Sequence, residues 1–211
     1  MNQNKKAFYF LSFLMGLLSC ITQAKTLEVA GAKFSEISLN VGAGQSSIST
    51  CDFNSDGNQD VIIASYLDNN IMAFRGDGKG GLIAVGHYSV GERPTGMDVS
   101  DINNDGNVDI AIANHETSYV TLLYGDGKGG FKKVPQSPLN IEIKPHPHDV
   151  RLNDLDGDNR VDLIVDSRTD EGLLVLKGLA DGGFKMPGKI VKLAYKLDRH
   201  LLERFGSERM R

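Results

Sequence analysis

Asp52 to Leu82 reads DFNSDGNQDVIIASYLDNNIMAFRGDGKGGL, and the same pattern returns twice, gap-free. Asp101 to Phe131 reads DINNDGNVDIAIANHETSYVTLLYGDGKGGF, and Asp154 to Phe184 reads DLDGDNRVDLIVDSRTDEGLLVLKGLADGGF. The first two copies agree at 14 of 31 positions, the second and third at 9, and the starts lie 49 and 53 residues apart. A period near 50 is long for helical repeats and suits a four-stranded propeller blade. Each copy has an Asp-rich loop, then a β-rich run (Val61–Ala64, Ile110–Ala113, Leu163–Val165). A polar turn leads to a second run (Ile71–Phe74, Val120–Tyr124, Leu173–Leu176), and a Gly-rich turn follows. One more strand candidate precedes each loop, clearest at Met97–Val99, and another follows each Gly-rich turn, as at Phe131–Val134. Four such strands punctuated by turns predict an antiparallel sheet.

The Asp loops place oxygen donors at alternate positions. Positions 1, 3, 5 and 9 are Asp52, Asn54, Asp56 and Asp60 in the first loop, and Asp101, Asn103, Asp105 and Asp109 in the second. In the third they are Asp154, Asp156, Asp158 and Asp162. Position 7 (Asn58, Asn107, Arg160) would offer its backbone carbonyl, leaving its side chain free to vary. Ca²⁺ takes 6–8 oxygen ligands from a flexible loop, and alternating side chains on a turning backbone can converge on it. Gly57 and Gly106 at position 6 suit a sharp turn, and Asn159 stands there in the third loop, Asn being tolerant of positive φ. Without an ion these would be Asx-rich turns, with carboxylates repelling one another in three separate copies. An EF-hand is excluded, because its position 12 requires Glu before a helix. Here position 12 is Ile63, Ile112 or Val165, inside a predicted strand.

These residues resemble the FG-GAP/VCBS repeat family of integrin-alpha-like β-propellers. The first two loops fit its D-x-N-x-D-G-x-x-D pattern, and GDGKGG turns follow at Gly76 and Gly125. The likeness covers about residues 34–184. It implies an all-β fold of four-stranded propeller blades, with Ca²⁺ as a structural ion and a role in binding or adhesion. The family's Phe-Gly and Gly-Ala-Pro tags survive loosely as Val41-Gly42 and as Val90-Gly91 with Pro94. Blades are expected at about 34–82, 83–131 and 132–184, within a repeat segment 25–191. A propeller needs roughly 4–8 blades, so an incomplete ring is expected, and a truncated longer propeller is the plain explanation.

The composition agrees. Asp numbers 19 against 8 Glu, and 24 of 211 residues are Gly, where about 7% is usual. Asp favours turns and caps over helix interiors. A net charge of −4 offers no basic surface for nucleic acid. Residues 1–24 have the layout of a secretory signal peptide: Lys5 and Lys6, an apolar run Ala7–Leu18, and Thr22-Gln23-Ala24 as the cleavage site. Leu17-Leu18-Ser19-Cys20 also resembles a lipobox, so membrane attachment is expected only through a lipidated Cys20. Both readings place the mature chain outside the cytoplasm. Residues 192–211 carry 6 basic and 3 acidic residues, with apolar side chains at the spacing of a helix, and fit no repeat.

Three features lie outside that scheme. Gly76-x-Gly78-x-x-Gly81 and Gly125-x-Gly127-x-x-Gly130 match a dinucleotide-loop pattern, but a strand rather than a helix is predicted to follow, so they read as turns. His146-Pro147-His148, aligned with Thr95-Gly96-Met97, is either a polar loop stiffened by proline or a transition-metal or acid–base pair. Cys51 abuts the first loop as a small strand residue or a reactive thiol. No catalytic constellation is visible. The expected function is an extracytoplasmic calcium-binding module that takes a protein or glycan ligand on a propeller face. The alternatives are a propeller-based lyase or hydrolase, or a non-functional fragment.

Overall fold

A computed structural model describes residues 26–29, 32–35, 38–141, 146–167 and 172–192. The predicted signal peptide 1–24 and nearly all of the tail 192–211 lie outside the described residues. The described residues are all β. A hairpin of β1 (Thr26–Val29) and β2 (Ala32–Ser35) comes first, which the repeat pattern does not predict.

Three antiparallel sheets follow. The first orders β3 (Gln45–Cys51), β4 (Asp60–Ser65), β5 (Asn70–Gly76) and β6 (Leu82–Ser89). The second has β7 (Pro94–Ser100), β8 (Asp109–Asn114), β9 (Tyr119–Gly125) and a split outer edge, β10 (Phe131–Lys133) and β11 (Leu139–Asn140), both paired with β9. Pro135 and Pro138 cannot donate to a ladder, which explains the split. The Ser137 hydroxyl takes the Leu122 N–H there instead, at 3.0 Å. The third sheet orders β12 (Pro147–Asn153), β13 (Asp162–Ser167), β14 (Gly172–Leu176) and β15 (Lys189–Lys192). The sheets therefore end seven to nine residues beyond the repeat boundaries at 82, 131 and 184, because the strand after each Gly-rich turn pairs back onto its own sheet.

β3, β7 and β12 are the inner strands and lie side by side. The Ser46 hydroxyl donates to the Pro94 carbonyl at 2.6 Å, and the Leu152 N–H donates to Asp98 Oδ2 at 2.9 Å. Each inner strand has a bulge at its start, between Gln45 and Ser47, Pro94 and Met97, and Pro147 and Asp149. Pro94 and Pro147 occupy the same register, opposite Asn114 and Ser167. His148 thus corresponds to Thr95, two residues from the alignment expected from sequence. The 53-residue spacing of the second and third Asp loops carries through β12 and sets this register.

Two apolar clusters fill the spaces between blades. One joins blades 1 and 2 through Phe53, Ile62, Ile71, Met97, Ile110, Ile112 and Phe131; the other joins blades 2 and 3. Because blade 2 is covered on both faces, every residue of β8 is buried, whereas β4 leaves Val61 and Ile63 partly exposed. Position 2 of the first two Asp loops plugs the next blade. Phe53, 2% exposed, meets the Phe131 ring edge-on at 5.5 Å, and Ile102 shares a cluster with Phe184. Tyr88 and Tyr124 repeat the relation, donating to the Gly129 and Gly182 carbonyls at 3.2 and 3.0 Å. Leu155, the third such residue, is 48% exposed, and Ile48 on the far side of blade 1 is 65% exposed. The arrangement is propeller-like and not closed among the described residues.

Candidate functional site

Each Asp loop turns through left-handed backbone twice, at positions 4 and 6. The pairs are Ser55 and Gly57 (58° and 85°), Asn104 and Gly106 (58° and 85°), and Gly157 and Asn159 (78° and 62°). Asn159 adopts the positive φ that its place predicts.

The position 1 carboxylate organises the turn. Asp52 accepts the Asp56 N–H at 3.1 Å and the Gly57 N–H at 2.8 Å; Asp101 accepts Asp105 and Gly106 at 3.0 and 2.8 Å. Asp154 accepts from Asp156, Gly157, Asp158 and Asn159. The position 3 amides of Asn54 and Asn103 donate to Asp56 and Asp105, each at 3.0 Å. The Asn58 N–H and then the Asn54 amide hold the Asp56 carboxyl below its ordinary range. Positions 1, 3 and 5 are therefore drawn together, while the Asn58 and Asn107 side chains pack over Gly78 and Gly127.

Position 9 has a second task that the spacing did not reveal. Asp60, Asp109 and Asp162 are fully buried. One Asp60 oxygen accepts the Phe53 N–H at 3.1 Å and the other accepts the Gly76 N–H at 2.9 Å. Asp109 does the same with Ile102 and Gly125, both at 2.9 Å, and Asp162 with Leu155 and Gly178 at 3.2 and 2.9 Å. Each clamps its loop to the end of the third strand. A sequence signal for this exists: Gly76, Gly125 and Gly178 recur at one repeat position. A Cβ on any of them would collide with the carbonyl oxygen of Gln59, Val108 or Val161.

The third loop differs electrically. Carboxylate oxygens of Asp154, Asp156 and Asp162 lie within 4.8 Å of one another. The Lys177 ammonium bridges two of them, at 2.8 Å from Asp156 and 2.8 Å from Asp162. Arg160 pairs with Asp158 and donates to the Gly178 carbonyl at 3.2 Å. Burial pushes Asp162 up, but Lys177 and then the Gly178 and Leu155 N–H groups outweigh it and hold the carboxyl below its usual range. Asp109 has Tyr124 in place of that lysine, and burial raises it to about 6 against its N–H bonds. Among the described residues, no ion pair neutralises Asp52, Asp56, Asp101 or Asp105. The first two loops thus hold oxygen-only donor sets with no ion-paired cation among the described residues, Arg75 acting on Asp56 only from a distance, which fits a hard divalent ion. The third supplies its own countercharge.

Two stretches, 52–112 and 101–165, match the FG-GAP-like repeat and together cover more than half of the chain. The chain belongs to the FG-GAP-like repeat family. Each matched FG-GAP-like stretch runs from one Asp loop through its blade to the second strand of the next, crossing the seam that Phe53 and Ile102 fill. No curated protein matches the chain.

The remaining candidates fall into place around the FG-GAP-like loops. Both G-x-G-x-x-G segments are tight turns between strands: the Asp77 N–H donates to the Gly81 carbonyl at 3.1 Å, and Asp126 to Gly130 at 3.0 Å. Cys51 is half-buried, and burial, then Asp60 and Asp52, push its thiol up to about 11. The opposite rim carries Tyr66, Arg93, His115, Glu116, His146 and His148. A cleft of about 200 Å³ there is lined by Tyr66, Leu67, Asn69, Glu92 and Arg93, with the Arg93 guanidinium 5.6 Å from the Tyr66 ring centre. Buried Asn114 holds this rim's central turn, accepting the Gly91 N–H at 3.0 Å and donating to Thr121 at 2.9 Å. His115 was not singled out by sequence, since it lies 31 residues from His146.

Proposed function

We propose that the chain is an extracytoplasmic, calcium-stabilised propeller-type module that binds a protein or glycan partner on a propeller face. The observation that supports this best is the uncompensated oxygen cluster of the first two loops. Asp52, Asn54, Asp56, the Asn58 carbonyl and Asp60 would hold one ion; Asp101, Asn103, Asp105, the Asn107 carbonyl and Asp109 would hold a second. The ion would relieve carboxylate repulsion and cross-link the loop to the strand that starts at position 9. Asp154, Asp156, Asp158, the Arg160 carbonyl and Asp162 form the equivalent third set, where an ion must displace Lys177.

The signal-like pattern of residues 1–24 supports the location, with attachment through Cys20 as the anchored alternative. Extracellular calcium modules bind with Kd on the order of 10⁻⁴–10⁻³ M. The Tyr66–Arg93 cleft supplies an aromatic face with polar neighbours, which suits a sugar or a peptide. The test is thermal melting of the protein with a chelator and with millimolar Ca²⁺. The melting temperature should fall with chelator and recover with Ca²⁺; identical curves overturn the proposal.

A further inference from the structure

We infer that the rim opposite the acidic loops is a transition-metal site, built by His115, His146 and His148 and suited to Zn²⁺. This does not rest on the calcium reading, because it uses other residues at the other end of the strands. His115 follows β8 of blade 2, His146 directly precedes β12 of blade 3, and His148 is the second residue of that strand. Three of the five histidines in the chain meet across that seam.

Two of the three ring spacings are those of imidazoles that share an ion, and the third is wider. The His115 ring centre lies 4.7 Å from that of His146 and 4.6 Å from that of His148, and the last two are 6.4 Å apart. With Zn–N bonds of about 2.0–2.1 Å, tetrahedrally arranged imidazoles have ring centres about 5 Å apart. Side-chain rotation is the adjustment that convergence requires. A nitrogen-only donor set selects Zn²⁺, Cu²⁺ or Ni²⁺ over Ca²⁺ and Mg²⁺, which prefer oxygen.

Two further observations point to a ligand. His146 Nδ1 is buried with no hydrogen-bond partner, a state that costs stability unless something binds it. His146 also sits at φ 106°, which a non-glycine residue adopts only when its surroundings impose it. The Thr117 carbonyl accepts its N–H at 3.4 Å and helps to hold it there. His115 Nδ1 lies 3.3 Å from Glu116 Oε1, and the Arg93 guanidinium holds that same oxygen at 2.8 Å. A carboxylate behind one imidazole nitrogen fixes the tautomer and leaves Nε2 as the ligand, the usual outer support of a zinc-bound histidine. Glu116 and Arg93 are thus positioning residues, and the three imidazoles are the ligands.

The test titrates the full chain with ZnCl₂ by calorimetry in saturating Ca²⁺, which keeps the acidic loops occupied. One Zn²⁺ per chain with micromolar or tighter Kd is expected. His115→Ala with His148→Ala should weaken it at least tenfold while leaving the Ca²⁺-dependent melting unchanged. If that double variant fails to fold, His148→Gln alone should still weaken Zn²⁺ severalfold. Co²⁺ in place of Zn²⁺ should give the visible bands of four-coordinate cobalt, absent from the folded variant. No saturable Zn²⁺ uptake, or uptake equal in wild type and variants, overturns the inference.

Discussion

The Lys177 ammonium lies 2.8 Å from Oδ2 of Asp162, a carboxylate with no solvent exposure. The corresponding residues of the other two repeats are Arg75, which forms no ion pair among the described residues, and Tyr124. That repeat position thus adds an electrical difference to a third loop that also carries Asp156 and Arg160 where the others have Asn. Lys177 helps to hold Asp162 below its usual range, whereas burial raises Asp109 to about 6.

Lys177 therefore competes with any metal at the third loop. A partly exposed ion pair is worth up to about 1 kcal/mol, so Lys177→Gln should tighten Ca²⁺ at the third of the proposed sites about fivefold. Calorimetric titration of wild type and variant reads this directly. Equal affinities at that site would show that Lys177 is no competitor.

Asp109→Ala should destabilise the fold whether or not calcium is present. It strands the buried N–H groups of Ile102 and Gly125, at roughly 1–3 kcal/mol each. Urea unfolding in chelator should show a loss of about 2 kcal/mol or more. A loss seen only with calcium would mean that the residue is a ligand and not a clamp.

Two glycine substitutions separate crowding from backbone strain. At Gly96 of β7 an added Cβ would strike Asp149 of β12 and come within 2.8 Å of the His148 carbonyl. Gly96→Ala should cost about 1–3 kcal/mol and loosen the seam between blades 2 and 3. Gly57 has open space around it but φ of 85°, so Gly57→Ala should cost about 1–2 kcal/mol from the left-handed backbone alone. Denaturation midpoints, with exchange protection at β12 lost only in the Gly96 variant, check both.

The Gly-rich turns should confer acid sensitivity. Asp77 is held below its ordinary range by the Lys79 and then the Gly81 N–H, and Asp126 by the Lys128 and then the Gly130 N–H. A carboxyl depressed in the folded state stabilises above its unfolded pKa of about 3.9 and loses that contribution as pH falls through its folded value. Melting temperature measured in chelator from pH 6 to pH 2 should fall less steeply in Asp77→Asn with Asp126→Asn than in wild type. Parallel curves would remove these turns from the account.

Cys51 should be inert in the folded protein. With its thiol pushed up to about 11, little thiolate exists near neutrality. A thiol-reactive dye at pH 8 should label it at the rate of unfolding, faster in urea. Fast labelling of the native protein would contradict the assigned environment.

The blades were legible because their information is local and repeated. Asp at positions 1, 5 and 9 of each copy marks the loops, and the apolar runs of β4, β8 and β13 alternate with turns that Gly57, Gly106 and Asn159 make possible. What escaped notice depends on chain segments distant in sequence. The split of β10 from β11 follows from which N–H groups Pro135 and Pro138 lack opposite β9. The clamp made by Asp109 is visible only when Gly125 returns beside it. His115 joins His146 and His148 because β8 and β12 end at the same rim, a fact of blade packing that no spacing encodes.

β8 and β12, which run between the acidic loops and the histidine rim, are six and seven residues long. At about 3.3 Å per residue the two ends are roughly 20 Å apart, whereas charges in physiological salt are screened over about 8 Å. Through solvent, each end is electrically blind to the other. An ion arriving at Asp101 changes the potential felt at His115 very little, so any communication between the ends must be mechanical, carried by the shared ladder of β7, β8 and β12.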